Sequence, residues 1–524
     1  MSTGPTGRPP RYPSDPRAIG EIPGYEFEAP RAATREIRQG ALAGSADPLR
    51  EIRPPAQPPP RKPRSLPVRV AGGALAAMLA RNWVAGLAIP VLAAILVGVA
   101  AVVVVGGSGG GGAAPSALDA GFPAARAAGT DFTGGTVASP VVLDTIAASA
   151  GTEVAAGSAD GGPALWVSAN GGSTWARAAL TGPAALTTAS SGELAGVAHG
   201  GAGWLACGTA LSGTGRSGTA GPVLASSPDG QTWTVSGGAT VLPGATGGTV
   251  AAAVATGPAG YVIVGHQAPS RTAADGPARA VAWYAPAGAG WRRAVITQPA
   301  AASAGRASGG SVSGGSVSGG SVSGSRAGGA QEMSAVTATA RGFAAVGGDG
   351  AHPAAWLSDG GRTWRLVTLP LPDGASRAAF TAVAASGTAV VAVGTEVSPA
   401  GAGSPFAEVS GDSGATWRPT PLPRPAAGAA AITVTALTAA GGGFTAAGSY
   451  DGPGGADVVV WTLPSIARTG DGWAAATLPG TGLAGQETQA ITALTAEGAT
   501  LTGVGFAGGS ATRQPTLWQS PIRS

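Results

Sequence analysis

Residues 389–417 read AVVAVG (389–394), a short Gly/Ser loop, PFAEVS (405–410), and then SGDSGATW (410–417). Two short apolar runs bounded by Gly-rich turns are the pattern of buried β-strands, too short for helices. Working outward, the same phrase recurs along the chain. The run ending in glycine returns as TEVAAG at Gly157, WLACG at Gly208, YVIVG at Gly265, FAAVG at Gly347, FTAAG at Gly448 and LTGVG at Gly505. The following run returns as PALWVS (163–168), PVLASS (222–227), AVAWYA (280–285), PAAWLS (353–358), DVVVWT (457–462) and PTLWQS (515–520). With the quoted copies, each run occurs seven times.

A closing tryptophan follows six of them, at Trp175, Trp233, Trp291, Trp364, Trp417 and Trp473, with gaps of 58, 58, 73, 53 and 56 residues. The long gap holds the low-complexity run SGGSVSGGSVSGGSVSGS (308–325), without which it falls to 55. A fixed period of this length with four strand-like segments per copy is the signature of propeller blades. Third-strand and closing tryptophans suit packing between adjacent blade faces. The expected fold is all-β, a seven-bladed β-propeller over 119–524. The seventh copy reaches Ser524 without a closing Thr-Trp, so residues 119–135 are expected to supply the missing outer strand and close the ring.

The N-terminal part differs in kind. Residues 1–69 hold 15 of the 43 prolines without apolar periodicity, so the tail 1–73 is expected to be disordered. Trp83 to Val105 is a run of 23 uncharged residues, and a helix of that length crosses a hydrocarbon core of about 30 Å. The expected order is a transmembrane α-helix with a short N-terminal extension (74–105), then a Gly-rich linker (106–118). Arg61, Lys62, Arg64, Arg69 and Arg81 precede the span, and the first cation after it is Arg126. The positive-inside rule therefore puts the tail in the cytoplasm and the propeller outside a bacterial cell membrane, as a single-pass protein.

Charge follows the same division. Residues 1–82 carry a net +6 and residues 83–524 a net −2, which leaves the propeller without a footprint for nucleic acid. One cysteine and three dispersed histidines exclude a disulfide framework and a Cys-pair zinc site. No cofactor and no metal is expected.

The turn of the opening phrase carries a family resemblance. Ser410, Asp412, Gly414, Thr416 and Trp417 fit S-x-D-x-G-x-T-W, and the hairpin resembles the Asp-box of bacterial neuraminidase-type repeats. Ser168, Asn170, Gly172, Thr174 and Trp175 fit with Asn in place of Asp. Asp359, Gly361, Thr363 and Trp364 fit with Leu357 at the serine position. Gly230, Thr232 and Trp233 fit with Pro228 at the acidic position and Asp229 one place late. The resemblance covers about 135–524 and implies a sialidase-like propeller whose boxes are structural hairpins away from the ligand face. A fold of this kind hosts unrelated functions.

For catalysis, the resemblance asks for a carboxylate-binding arginine cluster, a Tyr–Glu nucleophile pair and an acidic Asp. Only Tyr261, Tyr284 and Tyr450 follow the span, and Arg126 stands in AARAAG rather than in an Arg-Ile-Pro signature. No catalytic residue is assigned. Loops joining second and third strands open opposite the boxes. They carry Arg216, His266, Arg271, Arg279, Asp349, His352, Glu396, Tyr450, Asp451 and Arg513 as candidates for a ligand-binding rim. The expected function is non-catalytic recognition or scaffolding through a protein or cell-envelope glycan ligand, with the lipid bilayer as the second partner. The alternative is an exo-acting glycosidase or other hydrolase using the funnel, which two carboxylates at its floor would favour.

Overall fold

The computed structural model describes residues 141–522 except 184–185, 187–190, 213–218, 270–276, 287–288, 299–328, 426–428, 453–454, 465, 467–471, 478–487 and 509–513. The expected tail, membrane span, linker, closing segment 119–135 and low-complexity run lie outside these residues. Among the described residues no helix is long and apolar enough to cross a membrane.

The strands form seven sheets in chain order, antiparallel through their first three or four strands, the blades of a seven-bladed propeller. The first, innermost strands are Val142–Ser149, Gly192–Gly200, Thr249–Gly257, Gln331–Thr339, Arg377–Ser386, Ala430–Ala440 and Gln489–Glu497. Blade 7 meets blade 1 through Thr492 Oγ1, which donates to the Leu143 carbonyl (2.5 Å), and Thr502 Oγ1, which donates to Glu153 (2.9 Å). Gln519 Nε2 adds a bond to the Gly171 carbonyl (3.0 Å). The ring is closed by these contacts between chain regions almost 350 residues apart. Blade 7 has three strands among the described residues.

The recurrent second-strand glycine has one cause in all seven blades. Each first strand carries a β-bulge, and the residue just before it (Leu143, Leu194, Ala251, Met333, Phe380, Val434 or Ile491) lies opposite that glycine. A Cβ there would collide with the main-chain carbonyl of the residue before that, such as Val142, Glu193 or Val250. The bulge twists the strand and brings the backbones together, so the repeat requires a residue without a side chain.

Tryptophans fill the space between blades. Trp166, Trp283, Trp356, Trp461 and Trp518 on third strands are fully buried, as are the closing Trp233 and Trp364. Val154 and Leu165 of blade 1 share one apolar cluster with Leu194, Trp204 and Trp233 of blade 2.

The outer edge departs from the simple repeat. Fourth strands of blades 1 and 3 are only Ala176–Arg177 and Arg292–Arg293. The chain then crosses outward, so Ala179–Thr181 pairs in parallel with Thr232–Thr234 of blade 2, and Val295–Thr297 with Thr363–Arg365 of blade 4. Thr181 Oγ1 donates to the Trp233 carbonyl (2.9 Å) and Thr297 Oγ1 to that of Trp364 (3.0 Å). Blades 2 and 4 thus gain a fifth strand that the sequence period does not reveal.

The third-to-fourth hairpins lie beside the first-to-second turns: Gly171 N donates to Gly151 O (3.0 Å), and Ser413 N to Thr388 O (2.8 Å). In blade 5, Asp412 accepts from Thr416 N (2.8 Å) and Thr416 Oγ1 (2.7 Å), while Gly414 N donates to Ser410 Oγ (2.8 Å). In blade 1, Asn170 Oδ1 accepts from Thr174 N and Asn170 Nδ2 donates to Thr174 Oγ1, both at 2.9 Å.

Two hairpins are aligned differently from the sequence reading. Asp229, rather than Pro228, takes the accepting position, receiving Gln231 N (2.8 Å) and Thr232 N (3.1 Å). Ser358, rather than Leu357, takes the serine position, accepting from Gly361 N (2.8 Å). Both loops are one residue shorter, and the hydrogen bonds are kept by shifting the register. Trp175, Trp233 and Trp364 cap the turn by donating Nε1 to the carbonyls of Gly172, Gly230 and Gly361 (3.2, 2.9 and 3.0 Å).

Asn170 supplies an internal control. Asp412→Asn is expected to leave stability within about 0.5 kcal/mol, and Asp412→Ala to cost about 1 kcal/mol through the lost Thr416 bonds. The Thr416 amide is the main group holding the Asp412 carboxyl below its ordinary range. Its contribution is therefore present above the unfolded value and lost as pH falls through the folded one, and Asp412→Asn removes that acid sensitivity. Thermal melts at pH 7 and pH 3 check both statements.

Candidate functional site

With the hairpins on one face, second-to-third loops and blade links open on the other, where each first strand begins. The residue two before each bulge sits at equivalent height around this mouth: Val142, Glu193, Val250, Glu332, Ala379, Thr433 and Ala490. Two of the seven are glutamates, in blades 2 and 4.

Glu332 stands between a histidine and an arginine of the neighbouring blades. His266 on blade 3 is 6% exposed, and burial lowers its pKa while the Glu332 carboxylate raises it. Arg377 on blade 5 is half-buried; burial lowers its pKa and Glu332 again opposes the shift. Three blades therefore bring His266, Glu332 and Arg377 within electrostatic reach of one another at the mouth. Glu332→Gln removes the charge that opposes this lowering, so the His266 pKa is expected to drop further, which a histidine-resolved NMR titration measures.

The other rim candidates fall into separate groups. Asp349 accepts from Gln331 Nε2 and from Thr368 Oγ1 (3.2 Å each), and Gln331 and Gln298 exchange amide bonds (3.0 and 3.1 Å). His352 pairs with Asp349 in register and has a buried Nδ1 without a hydrogen-bond partner. Glu396 is raised by burial, with Arg424 opposing, and Arg424 donates to Ser404 Oγ (3.3 Å) and the Ala429 carbonyl (3.0 Å). Tyr450 lies opposite Asp457, and burial and that carboxylate raise its pKa; Asp451 is raised by burial. Arg279 is exposed at the start of a third strand. Arg216, Arg271 and Arg513 lie outside the described residues.

Only His266 of the sequence candidates enters the three-blade cluster. Its partners Glu332 and Arg377 lie on first strands, as do Glu193 and Asp144, and sequence reasoning passed over all four. Counting back from each second-strand glycine to its strand partner would have found the two glutamates in equivalent places. Asp144 occupies the bulge itself, with both carboxyl oxygens buried and without a partner. Burial, with Glu193 adding to it, pushes its pKa up to about 8. Among the described residues no group of three or more His, Cys, Asp or Glu could hold a metal.

Solved structures that the chain is similar to include two sialidases. Hadza microbial sialidase Hz136 matches at 12% identity and TM-score 0.39, over 76% of this chain and 68% of its own. Trypanosoma rangeli sialidase matches at 11% identity and TM-score 0.36, over 73% of this chain and 55% of its own, so the chain spans about half of that enzyme. YCF48 bound to D1 peptide matches at 16% identity and TM-score 0.27, over 53% of this chain and 66% of its own. No protein-family model and no curated protein matches the sequence.

Proposed function

We propose that the chain is a single-pass bacterial membrane protein whose Asp-box propeller, displayed outside the cell, recognises a protein or cell-envelope glycan without catalysis. The carrying observation is the His266–Glu332–Arg377 cluster. It sets a half-buried guanidinium, an imidazole and a carboxylate at the mouth, on three strands held by the bulge ring. Donors and an acceptor fixed on rigid strands suit hydroxyl, amide or carboxylate groups of a ligand. The membrane assignment rests on the uncharged run Trp83–Val105 and the cations before it. The Asp-box assignment rests on the serine, Asp or Asn, and threonine bonds of blades 1, 2 and 5.

One observation favours the hydrolase alternative: Asp144 and Glu193 interact on the innermost strands, though at the mouth and not at the funnel floor where the sequence reading looks for paired carboxylates. A catalytic pair needs pKa values pushed apart and oxygens that reach the substrate. Both of these are pushed up, and the Asp144 oxygens are closed off. The test uses the full chain in lipid nanodiscs against a glycan array and solubilised envelope fractions, beside fluorogenic glycosides. Binding weakened at least tenfold by Arg377→Ala, without turnover, supports recognition at this mouth. Turnover of a glycoside by wild type overturns it.

A further inference from the structure

The seven bulged residues are Asp144, Ala195, Ala252, Ser334, Thr381, Thr435 and Thr492. Three of them form a series. Thr381 Oγ1 donates to the Val434 carbonyl (2.8 Å), Thr435 Oγ1 to that of Ile491 (2.5 Å) and Thr492 Oγ1 to that of Leu143 (2.5 Å). Each acceptor is the residue just before the next blade's bulge. The hydroxyls therefore latch blade 5 to 6, 6 to 7 and 7 to 1. The next member is Asp144, and by the same ring equivalence its acceptor is the residue just before the blade 2 bulge, Leu194.

We infer that Asp144 is a neutral carboxylic acid at physiological pH and latches blade 1 to blade 2 by donating its proton to the Leu194 carbonyl, in the place where blades 5, 6 and 7 use a threonine hydroxyl. An ionised carboxylate has only acceptors to offer, and against a carbonyl oxygen it finds no partner. The charged group that bears on Asp144 is Glu193, the residue next to Leu194, which agrees with the position that ring equivalence assigns.

The surrounding strands offer no compensating cation. The first three strands of blades 1 and 2 and of blade 7 contain no Arg or Lys. Their other titratable groups stand elsewhere. His199 Nδ1 shares a hydrogen bond with Ser149 Oγ (2.9 Å), Glu497 accepts from Gly151 N (3.1 Å) and Glu153 from Thr502, all at the hairpin end of the channel. The Cys207 thiol is fully buried, pushed up by burial and directed at the Ala251 carbonyl (3.9 Å). A proton is the species that these residues leave room for.

The consequence is a joint sensitive to alkali. The folded-state pKa is raised above the unfolded value of 3.8, so the folded chain holds the extra proton between about pH 4 and pH 8. Stability from this group is full below that window and falls as pH rises through it. Loss of the proton sets a carboxylate against a carbonyl and against Glu193 at the blade 1–2 joint.

The test compares wild type, Asp144→Thr and Asp144→Asn as full-length protein in detergent, melted from pH 4.5 to 9 with EDTA or with calcium chloride. Asp144→Thr is expected to raise Tm by about 5 °C at pH 8.5 and to leave it unchanged at pH 4.5. Asp144→Asn, which keeps the size and offers an N–H donor, is expected to follow it. The infrared carbonyl band of protonated carboxyls at pH 7 should be weaker in Asp144→Asn than in wild type by one carboxyl, because Glu408, which burial raises to about 7, contributes to both. No difference in that band between wild type and Asp144→Asn, or calcium raising the Tm of wild type but not of Asp144→Asn, would overturn the proposal in favour of an ionised cation ligand. A Tm lowered by both substitutions at every pH would also overturn it.

Discussion

Gly394→Ala is expected to destabilise the propeller by about 3–5 kcal/mol, while Gly221→Ala leaves it unchanged or slightly more stable. The two glycines lie in comparable strands, so propensity alone does not separate them. At Gly394 an added Cβ meets the Ala379 carbonyl oxygen and the Phe380 Cα, both main-chain atoms that no rotamer change removes. At Gly221 it meets nothing within 4 Å. Relief at Gly394 would require losing the bulge between Phe380 and Ala382. That would shift the register by one residue and turn the start of the first strand over, carrying buried Ala378 and Phe380 off the core face. The Thr381 latch to blade 6 would be lost with it. Against a total stability of about 5–15 kcal/mol the substitution is severe, and Gly394→Val should leave no folded fraction. Chemical denaturation of the alanine pair, and solubility of the valine variant, measure this. Equal midpoints for Gly394→Ala and Gly221→Ala would contradict the close-approach account.

The same glycines explain why the architecture was legible in the sequence and the site was not. Gly157 to Gly505 recur because the backbone needs them, and the third-strand tryptophans recur because the blades need filling. A repeated requirement leaves a repeated letter. The mouth cluster is built from positions where the blades differ: Glu332 stands where blades 1, 3, 5, 6 and 7 carry Val142, Val250, Ala379, Thr433 and Ala490. A period search averages such positions away. Asp144 is hidden further, because its meaning depends on a bulge that no residue type announces and on threonines as distant as Thr492. The fifth strands of blades 2 and 4 went unread for another reason. Ala179–Thr181 and Val295–Thr297 are three residues long, and only the register with Thr232 and Thr363 reveals them as strands. The displaced hairpins are a milder case, where Asp229 and Ser358 keep the chemistry in loops one residue shorter than the motif.

Trp461→Ala is expected to cost about 4–5 kcal/mol, and the response to phenylalanine at three equivalent positions divides that cost into volume and hydrogen bonding. Trp461 is fully buried, in a cluster that joins Val391, Val393, Ala407 and Val409 of blade 5 to Ile432, Val434 and Phe444 of blade 6. Its Nε1 donates to the Pro423 carbonyl (2.8 Å), pinning the proline-rich link between those blades. Trp283 in blade 3 repeats the device on the Pro243 carbonyl (3.0 Å). Trp356 in blade 4 is as deeply buried, yet its Nε1 has no hydrogen-bond partner. Phenylalanine removes similar volume at all three sites. At Trp461 and Trp283 it also orphans a carbonyl, whereas at Trp356 it removes a buried donor that was never satisfied. Trp461→Phe and Trp283→Phe should therefore each cost about 1–2 kcal/mol more than Trp356→Phe. The quantity to measure is the urea midpoint at constant m-value. Equal midpoints for the three phenylalanine variants would mean that the proline carbonyls find water when the indole is gone, and that the links between blades are held by packing alone.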